Sequence, residues 1–230
     1  MAAASRDTRP RSAIGFRIKS GYAIAVVLSG PASSPTAVAR RVVELCDPAI
    51  AETKQPYHDG FGTEHEDPRE IARRVKIIER CAKKSIASLV ADVWTAPPSR
   101  RPVHRSAERG GGRRSGEPRR SSRESRASGG GRAALVVGSV IDPQKVGNPH
   151  IRAHANEGRL FRTVVENALR SHGIACDVIV EKQLAARAAA GLRVPDGAIK
   201  QTVAAFGKTV GGPWRADEKA AATAAWLALA

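Results

Sequence analysis

Residues 14–28 read IGFRIKSGYAIAVVL, and the fold follows from this stretch. Ile14-Gly15-Phe16-Arg17-Ile18 alternates large apolar with small or polar residues, the period of a strand that buries one face. Ser20-Gly21 supplies a turn. Residues 22–28 (YAIAVVL) are rich in β-branched side chains and make a second strand, so the two form a hairpin. Gly30, Pro31 and Pro35 then break the chain. Residues 36–45 (TAVARRVVEL) give a third strand, which stops at Asp47-Pro48.

Working outward, residues 49–66 contain Pro56, Gly60 and Gly62 and read as a loop. Asp67 as cap, Pro68 at the first position and Glu70 three residues after the cap mark a helix start. Ile71, Val75, Ile78, Ala82, Ile86, Leu89 and Val93 recur at intervals of three and four, so the helix is long and amphipathic. Residues 133–141 (AALVVGSVI) are a continuous apolar run, as in a buried central strand. Asn148 caps a further helix, with Pro149 at its first position, Leu160, Val164, Val165, Ala168 and Leu169 as its apolar stripe and Gly173 as its stop. Residues 178–180 (VIV) make a short strand. Asp196 caps a helix bearing Ile199, Val203 and Phe206, and an Ala-rich helix with Trp226 starts near Ala216. The order β-β-β-α-β-α-β-α-α calls for a mixed sheet covered by helices.

The chain has 230 residues, 42% of them hydrophobic, enough for one core. Aromatics are only 4%, so that core is built of Ala, Val, Ile and Leu. No apolar run approaches the length of a membrane span, so no membrane partner is expected. The basic start lacks an apolar signal segment, which points to the cytoplasm. Cys46, Cys81 and Cys176 are too far apart for a zinc spacing or a disulfide framework. The formal charge of +16 is uneven: residues 99–132 carry 11 Arg and 3 Glu, with one Val as their only large apolar residue. That composition predicts a disordered insertion, and residues 1–13 a disordered arm, within a single domain spanning 14–230. The arginines of 99–132 suit phosphates, but no aromatic is interleaved to stack on bases, so a solvated insertion is the competing reading.

The element order resembles the α/β ribonuclease H-like fold, a mixed sheet flanked by helices, and especially its RuvC-type Holliday-junction-resolvase branch. Three echoes carry the resemblance: the opening hairpin IGFRIKSGYAIAVVL, the segment VVGSVI as fourth strand, and IKQTVAAFGKTVGG (199–212) followed by ADEKAAATAAWLAL (216–229) as the closing segment and helix. The resemblance implies clustered carboxylates holding two divalent metals, Mg²⁺ or Mn²⁺, that activate water for phosphodiester cleavage. At the matching positions this chain has Arg17 in the first strand and Gly138 after the fourth. In the last helix the position falls on Lys219 in one register and on Asp217 or Glu218 in another. An Arg in place of the first Asp would repel the metals.

The densest segment runs from Asp142 through Asn148, His150, Arg152, His154 and Glu157 to Arg159, from a strand end into a helix. On a helix starting at Pro149, His150, His154 and Glu157 share one face. Three readings stay open there. One is a metal site on those three with Asp142 nearby. Another is an anion site at the helix start using Asn148, Arg152 and the imidazoles. The third is capping with a solvated face. Arg17, Lys19 and Lys219 are expected to converge at the sheet end as a basic pocket. Gly207-Lys208-Thr209 lacks the upstream Gly of a phosphate loop, and no GxSxG occurs.

These readings give three functional expectations. The first is a degenerate, non-catalytic domain that binds nucleic acid or another polyanion through Arg17, Lys19, Asn148, His150, Arg152, His154, Arg159 and Lys219, with no resident cofactor. The second is a nuclease that uses Asp142, Glu157, Asp217 and Glu218 with Mg²⁺ or Mn²⁺. The third is a structural or protein-interaction domain. The sequence specifies no oligomeric state.

Overall fold

The opening hairpin forms as β1 (Ser12–Ile18) and β2 (Tyr22–Ser29), antiparallel from Ser12 opposite Ser29 to Ile18 opposite Ala23. Gly21 makes the turn at φ +84°, a conformation that strains any residue with a Cβ. The structure is a computed structural model that describes residues 12–59, 63–94 and 131–230. The disordered assignments to the first residues and to the Arg-rich segment fall mostly outside the described residues. At their edges Ser12 and Ala13 belong to β1, and Arg132 belongs to a strand.

β3 (Thr36–Glu44) pairs antiparallel with β2, with a register shift between Val27 and Leu28. The described residues of 49–66 hold more than a loop. They hold a 3-10 turn (Ala51–Lys54) and a small hairpin of β4 (His58–Asp59) and β5 (Thr63–Glu64). α1 (Pro68–Trp94) starts where expected, with Asp67 accepting from the Arg69 N–H at 2.8 Å. Neither arm of the expected box is seen: Asp67 takes the second helical N–H rather than the third, and the Glu70 carboxylate accepts from Arg73 and Arg74.

β6 (Arg132–Val137) runs parallel to β1, and β7 (Ala175–Val180) parallel to β6. β6 stops at Val137, so the expected strand over 133–141 is four residues too long. Pairing with β1 ends at Arg17 opposite Val136, and Val140 and Ile141 are exposed. α2 (Pro149–Ser171) joins these two strands, and the chain closes with α3 (Leu184–Leu192), α4 (Asp196–Val210) and α5 (Ala216–Leu229). α3 is an additional element. It buries only Leu184 and Ala188, too little to show a stripe in the sequence. Pro195, not Asp196, caps α4, and Asp196 pairs with Lys200. The sheet order is β3-β2-β1-β6-β7, the mixed α/β sheet flanked by helices that the ribonuclease H-like resemblance implies.

Helices cover both faces of the sheet, so β1 is buried on both sides rather than one. Ile14, Phe16 and Ile18 join Ile78, Ile86, Phe161 and Leu169 of α1 and α2. Ala13 and the alternate residues of β2 join α4 and α5 instead. The small residues of β1 are what admit α5. A Cβ added to Gly15 would stand 1.9 Å from the Ala221 carbonyl oxygen and 2.4 Å from the Ala225 nitrogen. Strand and helix therefore touch backbone to backbone. Gly15→Ala should lower stability by about 3 kcal/mol in urea unfolding. Gly138→Ala, whose Cβ would meet nothing, should change it by less than about 0.5 kcal/mol. Equal effects would contradict the contact.

Candidate functional site

Arg17 lies on the same face of β1 as Gly15, and Asp217 lies one helical turn before Ala221 on α5. The Gly15 contact thus sets Asp217 beside Arg17. The Arg17 side chain is only 7% exposed, and its Nη2 pairs with Glu181, just beyond β7, at 2.6 Å. Its Nε stands 3.4 Å from the Asp217 carboxylate, which also takes Lys19 at 3.1 Å. Its Nη1 donates weakly to the carbonyls of Val136 and Ile18, at 3.4 and 3.5 Å. Two cations therefore meet two carboxylates at this end of the sheet. Arg17 and Lys19 are committed to ion pairs and do not stand free for an outside anion. Lys219 is exposed and makes no ion pair with a described residue.

The register of α5 is settled by these contacts: Asp217 faces β1, and Glu218 reaches β3. The buried Glu218 accepts from Arg40 Nη2 at 2.6 Å, from Arg40 Nε at 3.2 Å and from the Arg215 N–H at 2.9 Å. Burial pushes its carboxyl up, but the Arg40 and backbone hydrogen bonds outweigh this and hold it below the usual glutamate value.

The segment 142–159 divides between capping and a histidine cluster. Asp142, exposed, accepts from the Gln144 N–H in the 3-10 turn Pro143–Lys145. Asn148 caps α2, with its side-chain oxygen 3.1 Å from the Ile151 N–H. Arg152 is held by Glu64 at 2.5 and 3.1 Å and donates to the Val146 carbonyl, while Arg159 is exposed. Glu157 is fully buried. It accepts from Nδ1 of the buried His58 at 2.7 Å and stands 3.5 Å from Nδ1 of His154. His154 Nε2 in turn lies 3.2 Å from His150 Nε2.

Asp142, Glu157, Asp217 and Glu218 thus serve different partners. Among the described residues, the one group of three or more His, Cys, Asp or Glu close enough to share an ion is His58, His150 and His154. His58 escaped the sequence reading because it sits in a short turn-rich segment, 99 residues from Glu157. Its only local signal was a lone His among Pro and Gly. The thiols are not activated: burial pushes Cys46 and Cys81 up and Cys176 up to about 12.

Because the Glu218 carboxyl is held low in the fold, its contribution is complete above the ordinary glutamate pKa and is lost as pH falls through the lowered value. Glu218→Gln should therefore be less stable than wild type at pH 7 and lose stability less steeply below about pH 4 in acid titrations followed by circular dichroism. Parallel acid limbs would contradict the pairing. Arg40→Leu, which strands the buried carboxylate, should cost about 3 kcal/mol.

No protein-family model matches the chain, and no curated protein matches it. Among solved structures it is similar to T. thermophilus RuvC in complex with Holliday junction substrate, at 9% identity over 94% of this chain and 91% of that one, with a TM-score of 0.48. A second Thermus thermophilus RuvC structure gives 9% identity, 94% and 92% coverage and a TM-score of 0.47. An Aquifex aeolicus PPX-GPPA enzyme gives 13% identity over 80% of this chain and 42% of that one, with a TM-score of 0.31. These likenesses concern the arrangement of strands and helices, and no residue role is transferred through them.

Proposed function

We propose that the chain is a ribonuclease H-like domain that binds nucleic acid or another polyanion and does not cleave it at the sheet end. The observation that carries the binding is the outward face of α1. Arg69, Arg73, Lys76, Arg80, Lys83 and Lys84 are all exposed. At 100° per residue they fall within an arc of about 100°, opposite the buried Ile78, Ala82 and Leu89. The ridge is about 22 Å long at 1.5 Å per residue. Among the described residues, only Arg73 of the six finds an ion-pair partner, Glu70. A row of exposed cations of that length suits successive phosphates and reads no sequence. The eight net positive charges of residues 99–132 add to the same attraction.

The absence of cleavage follows from Arg17. Two-metal hydrolysis needs oxygen ligands gathered around hard cations. Here a guanidinium stands against Glu181 and Asp217, supplying as an internal cation the charge a metal would bring. Mg²⁺ or Mn²⁺ does not fit beside it. Gly138 brings no carboxylate, although a side chain there would meet nothing within 4 Å.

A salt series tests the binding. Affinity for single- or double-stranded DNA should fall with a log–log slope of about −3 to −5 from the ridge alone, and more steeply with residues 99–132 present. The triple variant Lys76→Glu, Arg80→Glu, Lys83→Glu should bind at least about tenfold more weakly and show a shallower slope. Undetectable wild-type binding at about 50 mM salt would contradict the reading. So would cleavage of branched DNA in Mg²⁺ or Mn²⁺ that Asp217→Asn abolishes.

A further inference from the structure

We infer that His58, His150 and His154 form a three-histidine site for a divalent transition metal of the zinc type, oriented by Glu157. It shares no residue with the Arg17 cluster at the sheet end and does not depend on the polyanion reading.

One ring nitrogen from each histidine lies within 4.8 Å of the others, and the ring centroids are 4.4, 4.5 and 5.2 Å apart. The 3.2 Å between the Nε2 atoms of His150 and His154 matches the edge of about 3.3 Å expected between two nitrogens on one tetrahedral zinc. Glu157 fixes which nitrogens are free. A carboxylate only accepts, so the His58 Nδ1 beside it carries the hydrogen, and the Nε2 lone pair is left bare. The second Glu157 oxygen, without a hydrogen bond among the described residues, stands 3.5 Å from Nδ1 of His154, whose Nε2 lies 3.2 Å from His150 Nε2. A buried carboxylate behind ligating imidazoles is the usual outer-shell support of such sites.

The independent sign of a missing ligand is His58 Nε2. It is buried without a hydrogen-bond partner among the described residues, on a side chain only 3% exposed. A bare imidazole nitrogen in that position is costly unless something coordinates it. Three nitrogen donors suit zinc and its neighbours and not Mg²⁺ or Ca²⁺, which require oxygen. His150 and His154 are exposed, so a fourth coordination position opens to solvent. The ion would also tie the β4–β5 hairpin to α2, which Arg152 and Glu64 already hold together.

The test uses the full chain without a histidine tag, stripped by chelator and then titrated with Zn²⁺ in a calorimeter. One Zn²⁺ per chain should bind with Kd of about 1 μM or tighter, raise the thermal midpoint, and be replaceable by Co²⁺ with tetrahedral visible absorption. His150→Ala with His154→Ala, both exposed and safe for folding, should weaken binding at least about 100-fold. Glu157→Gln should weaken it about 10- to 100-fold. His172→Ala, on an exposed histidine elsewhere, should leave it unchanged. No saturable Zn²⁺ binding by the wild type, or full-affinity binding by the double variant, would overturn the assignment.

Discussion

The backbone contact between Gly15 and α5 determines where everything on that side of the sheet sits. With no side chain at Gly15, the helix descends until Ala221 and Ala225 meet the strand. That seating fixes the helix register. Ala222 and Trp226 then fall over β2 with Phe206 of α4, and Ala220 and Ala224 over β6 and α3. One turn earlier, Asp217 arrives beside Arg17 and Lys19, and Glu218 arrives at Arg40. A larger residue at position 15 would lift the helix and separate all of these pairs at once. The alanines of α5 serve this contact, since Ala is the residue that lets a helix lie this close to a strand.

The sheet end is the second consequence. An almost buried guanidinium is tolerable only when its hydrogens and charge are answered. Arg17 meets most of that condition: Glu181 and two carbonyls take its Nη hydrogens, and Asp217 answers its charge at 3.4 Å from Nε, which has no hydrogen bond among the described residues. The cluster is balanced within itself, so the positive charge available to a partner lies elsewhere, on the α1 ridge and in the Arg-rich segment. The total charge of +16 is therefore a poor guide to position. Arg17 and Lys19 at the sheet end are already spent on internal pairs.

Local chemistry was readable where it acts over a few residues. The Ser20-Gly21 turn, the Asn148-Pro149 cap and the α1 stripe each depend on neighbours within about one or two turns, and each forms. What stayed hidden depends on contacts across the fold. Arg17 could be seen as a departure from the resembled pattern, but nothing in the sequence names Glu181 as its partner, 164 residues away. The helix position opposite β1 was ambiguous among Asp217, Glu218 and Lys219 until the Gly15 contact set the register. His58 carried no periodic signal, and its meaning comes only from the packing of β4 on α2. The run 133–141 overstates its strand because Val140 and Ile141 are apolar yet exposed, and strand length is set by the partner strand, whose pairing ends at Arg17.

In the proposed function, Arg17 stands at the sheet end in place of a bound metal. Manganese-induced broadening of backbone amide signals in isotope-labelled protein tests this most directly, because a bound Mn²⁺ erases signals only around itself. With Arg17 paired to Glu181 and Asp217, the amides of residues 17, 181 and 217 should keep their intensity in millimolar Mn²⁺. Selective loss of those three signals would show a metal seated among them and would contradict the claim.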